Sequence, residues 1–313
     1  MRRQHVYLAV LGLLVLLPLI LMGIGLHSCY RSEFALEKIS SKLHYNEEWE
    51  TKTLSFVERE WLLKEVLSQK FYFLGSGGHS YVFVSEDDKY VLKFFKMYKI
   101  LPKNWLRDFP FSLLETYRFN HVEKREHLFA SIFRSFKMAF QELRQETGLL
   151  YLHLNKTRDL KTKLTLVDQV GKKLCVDLDT KEFVVQKKAM KLSDYFLACK
   201  KNGDEEKLRR AVNECLALIA RLCKKGYEDG HGNLRNNIGF VDEKAIFFDC
   251  GLFFADESLK SPHCVQMQIL STVEILSHWA EQSYPDLIYI LQEEAQRVID
   301  AYVEGTFLFK KVG

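Results

Sequence analysis

The chain has 313 residues, of which 47% are hydrophobic and 27% charged, a globular composition with enough length to bury a substantial core. The formal net charge of only +4 argues against a nucleic-acid partner, because nucleic-acid-binding domains are usually strongly basic. The seven cysteines show neither zinc-site spacing nor the pattern of a disulfide framework. Reduced thiols favour a cytosolic environment for the globular part.

The first thirty residues predict a membrane anchor. Residues 7–26 carry no charge and match the roughly 20 residues that a helix needs to cross a bilayer. Secretory signals usually have a shorter apolar region. Residues 26–29 (LHSC) loosely resemble a bacterial lipoprotein box, so a lipidated Cys29 stays open as the alternative anchor. Basic residues flank the span on both sides and leave the membrane side undecided.

Three further patterns follow in chain order. Residues 31–68 include apolar positions at helical spacing, which predict an amphipathic juxtamembrane helix or linker. Residues 71–99 contain apolar runs rich in Phe, Tyr and Val, broken by GSGGHS and SEDDK, as in antiparallel strands joined by tight turns. A helix is expected over 127–147, ended by Gly148, and more strands are expected up to residue 190.

The chain from residue 191 onward is mainly helical by pattern. Asp204 is the expected N-cap of an amphipathic helix that ends at Gly226, and residues 261–304 are again helical. The predicted domains are the anchor (1–30), the juxtamembrane helix or linker (31–68), a strand-rich lobe (69–190) and a helix-rich lobe (191–313).

Two features of the strand-rich lobe indicate a phosphate ligand. Gly75, Gly77 and Gly78 would let backbone amides approach a phosphate closely, although glycines in a hairpin more often only form a turn. Lys93 lies among hydrophobic residues on a following strand. Because an unpaired buried ammonium is costly, this lysine is expected either to meet an anion or to extend from the sheet to solvent.

The helix-rich lobe contains a candidate metal site within residues 226–251, GYEDGHGNLRNNIGFVDEKAIFFDCG. Two short apolar runs between Asn237 and Asp249 predict a hairpin that returns Asp249 beside Asn237. An amide carbonyl and a carboxylate that converge there suit Mg²⁺, and Gly251 suits a sharp turn. The alternative is a polar loop and hairpin with Asp249 at a strand end.

Over roughly residues 69–305 the chain resembles the protein-kinase-like superfamily. The resemblance lies in the order and approximate spacing of the glycine loop, the strand lysine, the connecting helix, the further strands and the H-G-x-L…N…D-x-G residues. The pattern is similar to lipopolysaccharide-core and other sugar kinases and to aminoglycoside phosphotransferases. The resemblance implies an α+β, bilobal kinase-like fold, with an antiparallel-sheet N-lobe and a compact helical C-lobe behind a transmembrane helix.

The resemblance also implies roles for individual residues. The phosphates of bound ATP would be covered by Gly75, Gly77 and Gly78 and contacted by Lys93, with Mg²⁺ on Asn237 and Asp249. The backbone from Gln186 to Lys188 would contact adenine. The 127–147 helix should supply a Glu that pairs with Lys93. Its candidates are Glu142 and Glu146, although either also suits a solvent-exposed face.

Two departures from the family pattern bear on activity. The family's catalytic base is an Asp, whereas HGNLRNN has Asn233 at that place, in a loop one residue shorter. An amide cannot accept the substrate's proton, and Asp229, four residues earlier, is the alternative base. The short chain after Gly251 also lacks an A-P-E motif, which argues against a regulated protein kinase.

Two functions therefore stay open for a single-pass membrane protein whose globular part is favoured on the cytosolic side. The first is an enzyme that transfers phosphate from ATP·Mg²⁺ to a sugar, lipid-linked or protein hydroxyl. A missing base need not abolish such catalysis, which is mostly positioning and charge stabilisation. The second is a catalytically dead pseudokinase that binds a protein partner. A bacterial periplasm, which has no ATP, would favour the second.

Overall fold

The computed structural model describes residues 33–102, 115–230 and 234–303. The predicted anchor at 7–26, the alternative anchor Cys29 and the expected base position Asn233 lie outside these residues. Within them, no helix has the length and hydropathy required to span a bilayer.

Residues 33–66 wrap around the strand-rich lobe before its first strand. Ser55 starts helix α1 (Phe56–Trp61) with a capping box, and the helix continues as a π-helical stretch (Leu62–Val66). This is shorter than the helix that the apolar spacing predicts, and Val57 is 75% exposed. The apolar face is buried mainly in the π-helical half, where Leu62 and Val66 are buried. Before Ser55 the chain forms two 3₁₀ turns, Leu36–Ile39 and Glu47–Trp49.

Seven strands form one curled sheet. Their bounds are β1 (Phe71–Ser76), β2 (Ser80–Ser85), β3 (Tyr90–Phe95), β4 (Leu149–His153), β5 (Lys163–Val167), β6 (Lys173–Asp177) and β7 (Phe183–Lys187). Their order is β4-β7-β3-β2-β1-β5-β6. Neighbours pair antiparallel except β1 and β5, which are parallel. The strands predicted from residue 71 to residue 190 are confirmed.

The described residues between β3 and β4 are mainly helical. They contain α2 (Met97–Ile100), the 28-residue α3 (Glu115–Glu142) and α4 (Arg144–Thr147). Gly148 follows α4 in the left-handed conformation, with φ of 64°, which only glycine adopts at little cost. The predicted end of the helical segment at Gly148 is confirmed.

The remaining helices pack together below the sheet. They are α5 (Leu192–Asn202), α6 (Glu205–Lys225), α7 (Leu234–Asn237), α8 (Pro262–Ser283) and α9 (Leu287–Val303). The Asp204 carboxylate accepts the backbone N–H of Lys207 at 2.9 Å, and Gly226 ends α6 with φ of 78°. Both predicted caps are confirmed. Five short strands lie among these helices: β8 (Met190–Lys191), β9 (Tyr227–Asp229), β10 (Ile238–Val241), β11 (Lys244–Phe247) and β12 (Phe253–Ala255).

The two faces of the sheet contribute to two separate cores. Phe94 packs in the outer core with Phe34 from the N-terminal segment, whereas Phe95 and Val184 join the core shared with the helices. This alternation follows from the two-residue period of a strand. A curled, mainly antiparallel sheet beside a helical part is an α+β arrangement that fits the predicted bilobal kinase-like fold.

Candidate functional site

The β10–β11 hairpin brings Asn237 close to Asp249. Ile238 pairs with Phe247 at its open end, and the backbone N–H of Phe248 donates to the carbonyl of Asn237 at 2.8 Å. Asp249 is therefore one residue beyond the position opposite Asn237. The hairpin prediction is confirmed, while the metal-binding role of these residues stays a prediction.

Asp229 lies in the same cluster. Its Oδ2 accepts a hydrogen bond from Asn237 Nδ2 at 2.9 Å, and Asp229 and Asn237 are only 7% and 6% exposed. Asp229 ends β9, which pairs antiparallel with β12 directly after the Asp249 loop. Because the Asn237 amide nitrogen faces Asp229, its carbonyl oxygen is the atom suited to a cation.

The possible metal ligands are thus two carboxylates and one amide. Among the described residues, no three His, Cys, Asp or Glu side chains converge as a metal site. This is compatible with Mg²⁺, which usually takes only one or two protein carboxylates and completes its shell with water and substrate phosphates. Asp249 is half-buried, and its Oδ1 accepts the backbone N–H of Gly251 at 3.3 Å.

Lys93 reaches this cluster from β3. The residue is 8% exposed, and its ammonium donates to the carbonyl of Phe248 and lies 5.8 Å from the centre of the Phe248 ring. Burial lowers the pKa of Lys93, and the nearby Asp249 carboxylate opposes that shift. Lys93 therefore points inward toward an acidic residue and does not extend from the sheet to solvent.

Neither predicted glutamate partner pairs with Lys93. Glu142 is exposed, and Glu146 Oε1 lies 2.8 Å from Lys225 Nζ. Both residues follow the part of α3 that faces the Asp249 loop and lie at the junction with α6, where Lys225 Nζ also donates to the backbone carbonyl of Glu142 at 3.0 Å. The expectation that one of them meets Lys93 is wrong, and the acidic charge acting on Lys93 comes from Asp249.

The glycine loop joins β1 to β2 above Lys93. Gly75 pairs with Val82, and Val82 pairs with Lys93, so Gly75 is two strand spacings, about 10 Å, from Lys93. Gly75, Gly77 and Gly78 all lack a positive φ, and a Cβ at any of them would meet no heavy atom closer than 3.7 Å. Neither the turn's backbone nor its packing requires glycine here, which favours the close-approach interpretation.

Two further lysines hold this loop, and neither is among the predicted site residues. Lys96 Nζ donates to Ser76 Oγ at 2.6 Å and to the Gly77 carbonyl at 2.5 Å, and Lys99 Nζ donates to the Gly78 carbonyl at 2.7 Å. Burial lowers the pKa of Lys96 to about 8, and Lys99 adds to the shift. The three-residue spacing of lysines in KFFKMYK is the signal that could have indicated them.

The predicted adenine-binding segment connects the two lobes. Gln186 is fully buried, and its Nε2 donates to the Thr147 carbonyl at 2.5 Å. The backbone N–H groups of Lys187 and Lys188 donate to the carbonyls of Gly148 and Lys89, at 2.9 and 2.8 Å. A backbone amide that donates to a bound base would therefore have to lie beyond Lys188.

Comparison with known proteins gives only distant similarity. No family model matches the chain, and no curated protein matches it. Solved structures of WbdD share 15% identity: a co-crystal structure with the kinase inhibitor LY294002 covers 72% of this chain and 45% of that chain at a TM-score of 0.33. A high-resolution WbdD structure covers 72% and 46% at 0.34.

A third structure, described as the bifunctional kinase-methyltransferase WbdD, covers 70% of this chain and 43% of that chain at a TM-score of 0.31. The chain thus spans less than half the length of the WbdD chains it matches. At this level the similarity assigns no role to any residue.

Proposed function

We propose that the chain is a membrane-anchored kinase-like protein that binds ATP with Mg²⁺ between the glycine loop and the cluster of Asp229, Asn237 and Asp249. The observation that carries the proposal is the setting of Lys93. Its buried ammonium binds a backbone carbonyl, and among the described residues no carboxylate forms an ion pair with it. A phosphate of the nucleotide would supply the anion that a buried ammonium requires.

The metal would bind on the other side of the same space. Asp249 and the carbonyl oxygen of Asn237 are hard oxygen ligands, and the phosphates would complete the coordination. The glycine loop supports the phosphate placement, because its glycines are required neither by backbone conformation nor by packing. An approaching phosphate needs the space that a Cβ would fill.

Phosphoryl transfer to a sugar, lipid-linked or protein hydroxyl near the membrane is the enzymatic form of this proposal. Asp229 is the candidate base, since its carboxylate is held by Asn237. A general base must lie within hydrogen-bond reach of the acceptor hydroxyl.

A pseudokinase that binds a protein partner is the second candidate. Asn233 at the expected base position favours it, as does the lack of a glutamate ion pair with Lys93 in the described part of the chain.

Calorimetric titration of the full-length protein with ATP, with and without Mg²⁺, tests the proposal. Binding should depend on Mg²⁺, fall at least tenfold in Lys93→Met and Asp249→Ala, and persist in Lys163→Met, where an exposed strand lysine serves as the matched control. The absence of metal-dependent binding in the wild-type protein would overturn the proposal.

Phosphate release then separates the two candidate functions. An enzyme that uses Asp229 should lose turnover in Asp229→Asn while still binding ATP·Mg²⁺. Binding without any turnover in the wild-type protein would assign the pseudokinase function instead.

A further inference from the structure

Ser135 is a buried hydroxyl on an otherwise apolar helix face. It is 2% exposed and lies on α3 between Phe133 and Phe136, which are themselves buried. A serine inside a helix commonly bonds back to a carbonyl one turn earlier. Ser135 instead bonds to residues 115 and 118 positions further along the chain.

Both of these bonds go to the loop that carries Asp249. Ser135 Oγ donates to the carbonyl of Cys250 at 2.6 Å and accepts the backbone N–H of Phe253 at 2.7 Å. One hydroxyl therefore closes the turn between residues 250 and 253. Buried backbone groups need such partners, so this contact determines where the turn lies.

The preceding side of Asp249 is held as well. The N–H of Phe248 donates to the carbonyl of Asn237 at 2.8 Å, and the carbonyl of Phe248 accepts from Lys93. Asp249 is thus fixed at Phe248 on one side and, through Ser135, at Cys250 on the other. The backbone is therefore held on both sides of this carboxylate.

The helix that bears Ser135 also contacts the strand that bears Lys93. The ring of Phe95, two residues after Lys93, lies 5.1 Å from the ring of Phe133 and 5.2 Å from that of Phe136. These two phenylalanines flank Ser135 on α3. The strand that bears Lys93 and the loop that bears Asp249 therefore both contact the same turn of α3.

We propose that Ser135 is a positioning residue that holds the Asp249 loop in the geometry needed for metal binding. The metal-binding part rests on the proposed function, whereas the loop-holding part does not. Removing the hydroxyl leaves the Cys250 carbonyl and the Phe253 N–H without a partner in a buried setting, which the loop can relieve only by moving. Ligand geometry for Mg²⁺ tolerates little displacement.

Hydrogen–deuterium exchange of the full-length protein tests the loop-holding part without nucleotide. In the wild-type protein the Phe253 amide should exchange slowly, because its N–H is bound to a buried hydroxyl. In Ser135→Ala it should exchange roughly tenfold faster or more, since one buried hydrogen bond is lost. Ser131→Ala, an exposed serine one turn earlier on the same helix, should leave the exchange unchanged.

Fast exchange of Phe253 in the wild-type protein, or equal exchange in the two alanine variants, overturns the proposal. The wild-type measurement keeps the test decisive even if Ser135→Ala does not fold.

Nucleotide binding tests the metal-positioning part. Ser135→Ala should keep the affinity for metal-free ATP within about twofold while raising the Mg²⁺ concentration for half-maximal binding roughly tenfold, a loss on the scale of one hydrogen bond. A general loss of structure would lower both affinities together. An unchanged Mg²⁺ requirement, with wild-type ATP·Mg²⁺ binding present, rejects metal positioning. Faster Phe253 exchange with no wild-type binding supports the loop contact and refutes the proposed function.

Discussion

Trp49 should anchor the segment before α1 to the lobe that carries the site. It is 6% exposed, and its ring meets the rings of Phe129 and Phe133 on α3 edge to face, at 5.7 and 5.4 Å. The neighbouring Glu48 accepts a hydrogen bond at its Oε1 from Arg134 Nε at 2.8 Å. The segment that follows the predicted anchor is therefore packed against the helix that bears Ser135.

Replacing Trp49 with alanine should destabilise the protein strongly. Large-to-small substitution of a buried tryptophan costs roughly 3–5 kcal/mol. Each edge-to-face aromatic pair contributes about 0.5–1.5 kcal/mol beyond the area buried. Against a total stability of roughly 5–15 kcal/mol, this is a large fraction. The midpoint of urea unfolding should fall by roughly 1 M or more, because the slope for a domain is typically about 1–3 kcal/mol per molar urea.

Urea unfolding of the full-length protein, followed by circular dichroism, provides the measurement. Phe56→Ala is the matched control, since Phe56 lies in the same segment and is 78% exposed. It should shift the free energy of unfolding by no more than about 0.5 kcal/mol. If Trp49→Ala were as mild as this control, the inferred packing of Trp49 on α3 would be refuted.

The charges of Lys96 and Glu182 give three further predictions. Lys96→Met should weaken ATP·Mg²⁺ binding roughly tenfold by releasing the glycine loop, whereas Lys70→Met, at an exposed site, should not change the calorimetric affinity. The pKa of Lys96 is lowered to about 8, so the affinity of the wild-type protein for ATP·Mg²⁺ should fall between about pH 7 and 9 as Lys96 loses its charge. If the affinity of Lys96→Met does not change over the same pH range, Lys96 is the group responsible. Burial raises the pKa of Glu182, so the folded state binds the proton of Glu182 more tightly than the unfolded state does. Thermal stability should therefore rise as the pH falls toward this raised pKa, and Glu182→Gln should lack the increase.

Local patterns predicted the parts of the fold that depend on nearby residues. Asp204, Gly226 and Gly148 act within one turn of the helix ends they define, so their residue types were sufficient. The same holds for the hairpin that places Asp249 beside Asn237, because twelve residues with two apolar runs allow few other arrangements.

Long-range features were not predictable in this way. Whether a glutamate near the end of the 127–147 segment meets Lys93 depends on how the 28-residue α3 and the short α4 after it are rotated and placed, and a shift of one residue turns a helix by about 100°. Glu142 and Glu146 were consequently misplaced. Ser135 gave only the weak signal of a hydroxyl in an apolar stripe, and its partners lie more than a hundred residues away.

Asp249 is the acidic charge near Lys93, and this charge affects how ATP and Mg²⁺ bind together. Under the proposed function, Asp249 would serve both the metal and the lysine. Mg²⁺ alone would draw the carboxylate away from a buried ammonium, and ATP alone would bring phosphate charge against the carboxylate. Each ligand removes the electrostatic cost of the other, so ATP and Mg²⁺ should bind with positive coupling. Calorimetry at several Mg²⁺ concentrations measures this coupling. In Lys93→Met the coupling should shrink, because the lysine no longer competes for Asp249; coupling of wild-type strength in that variant would refute the shared role.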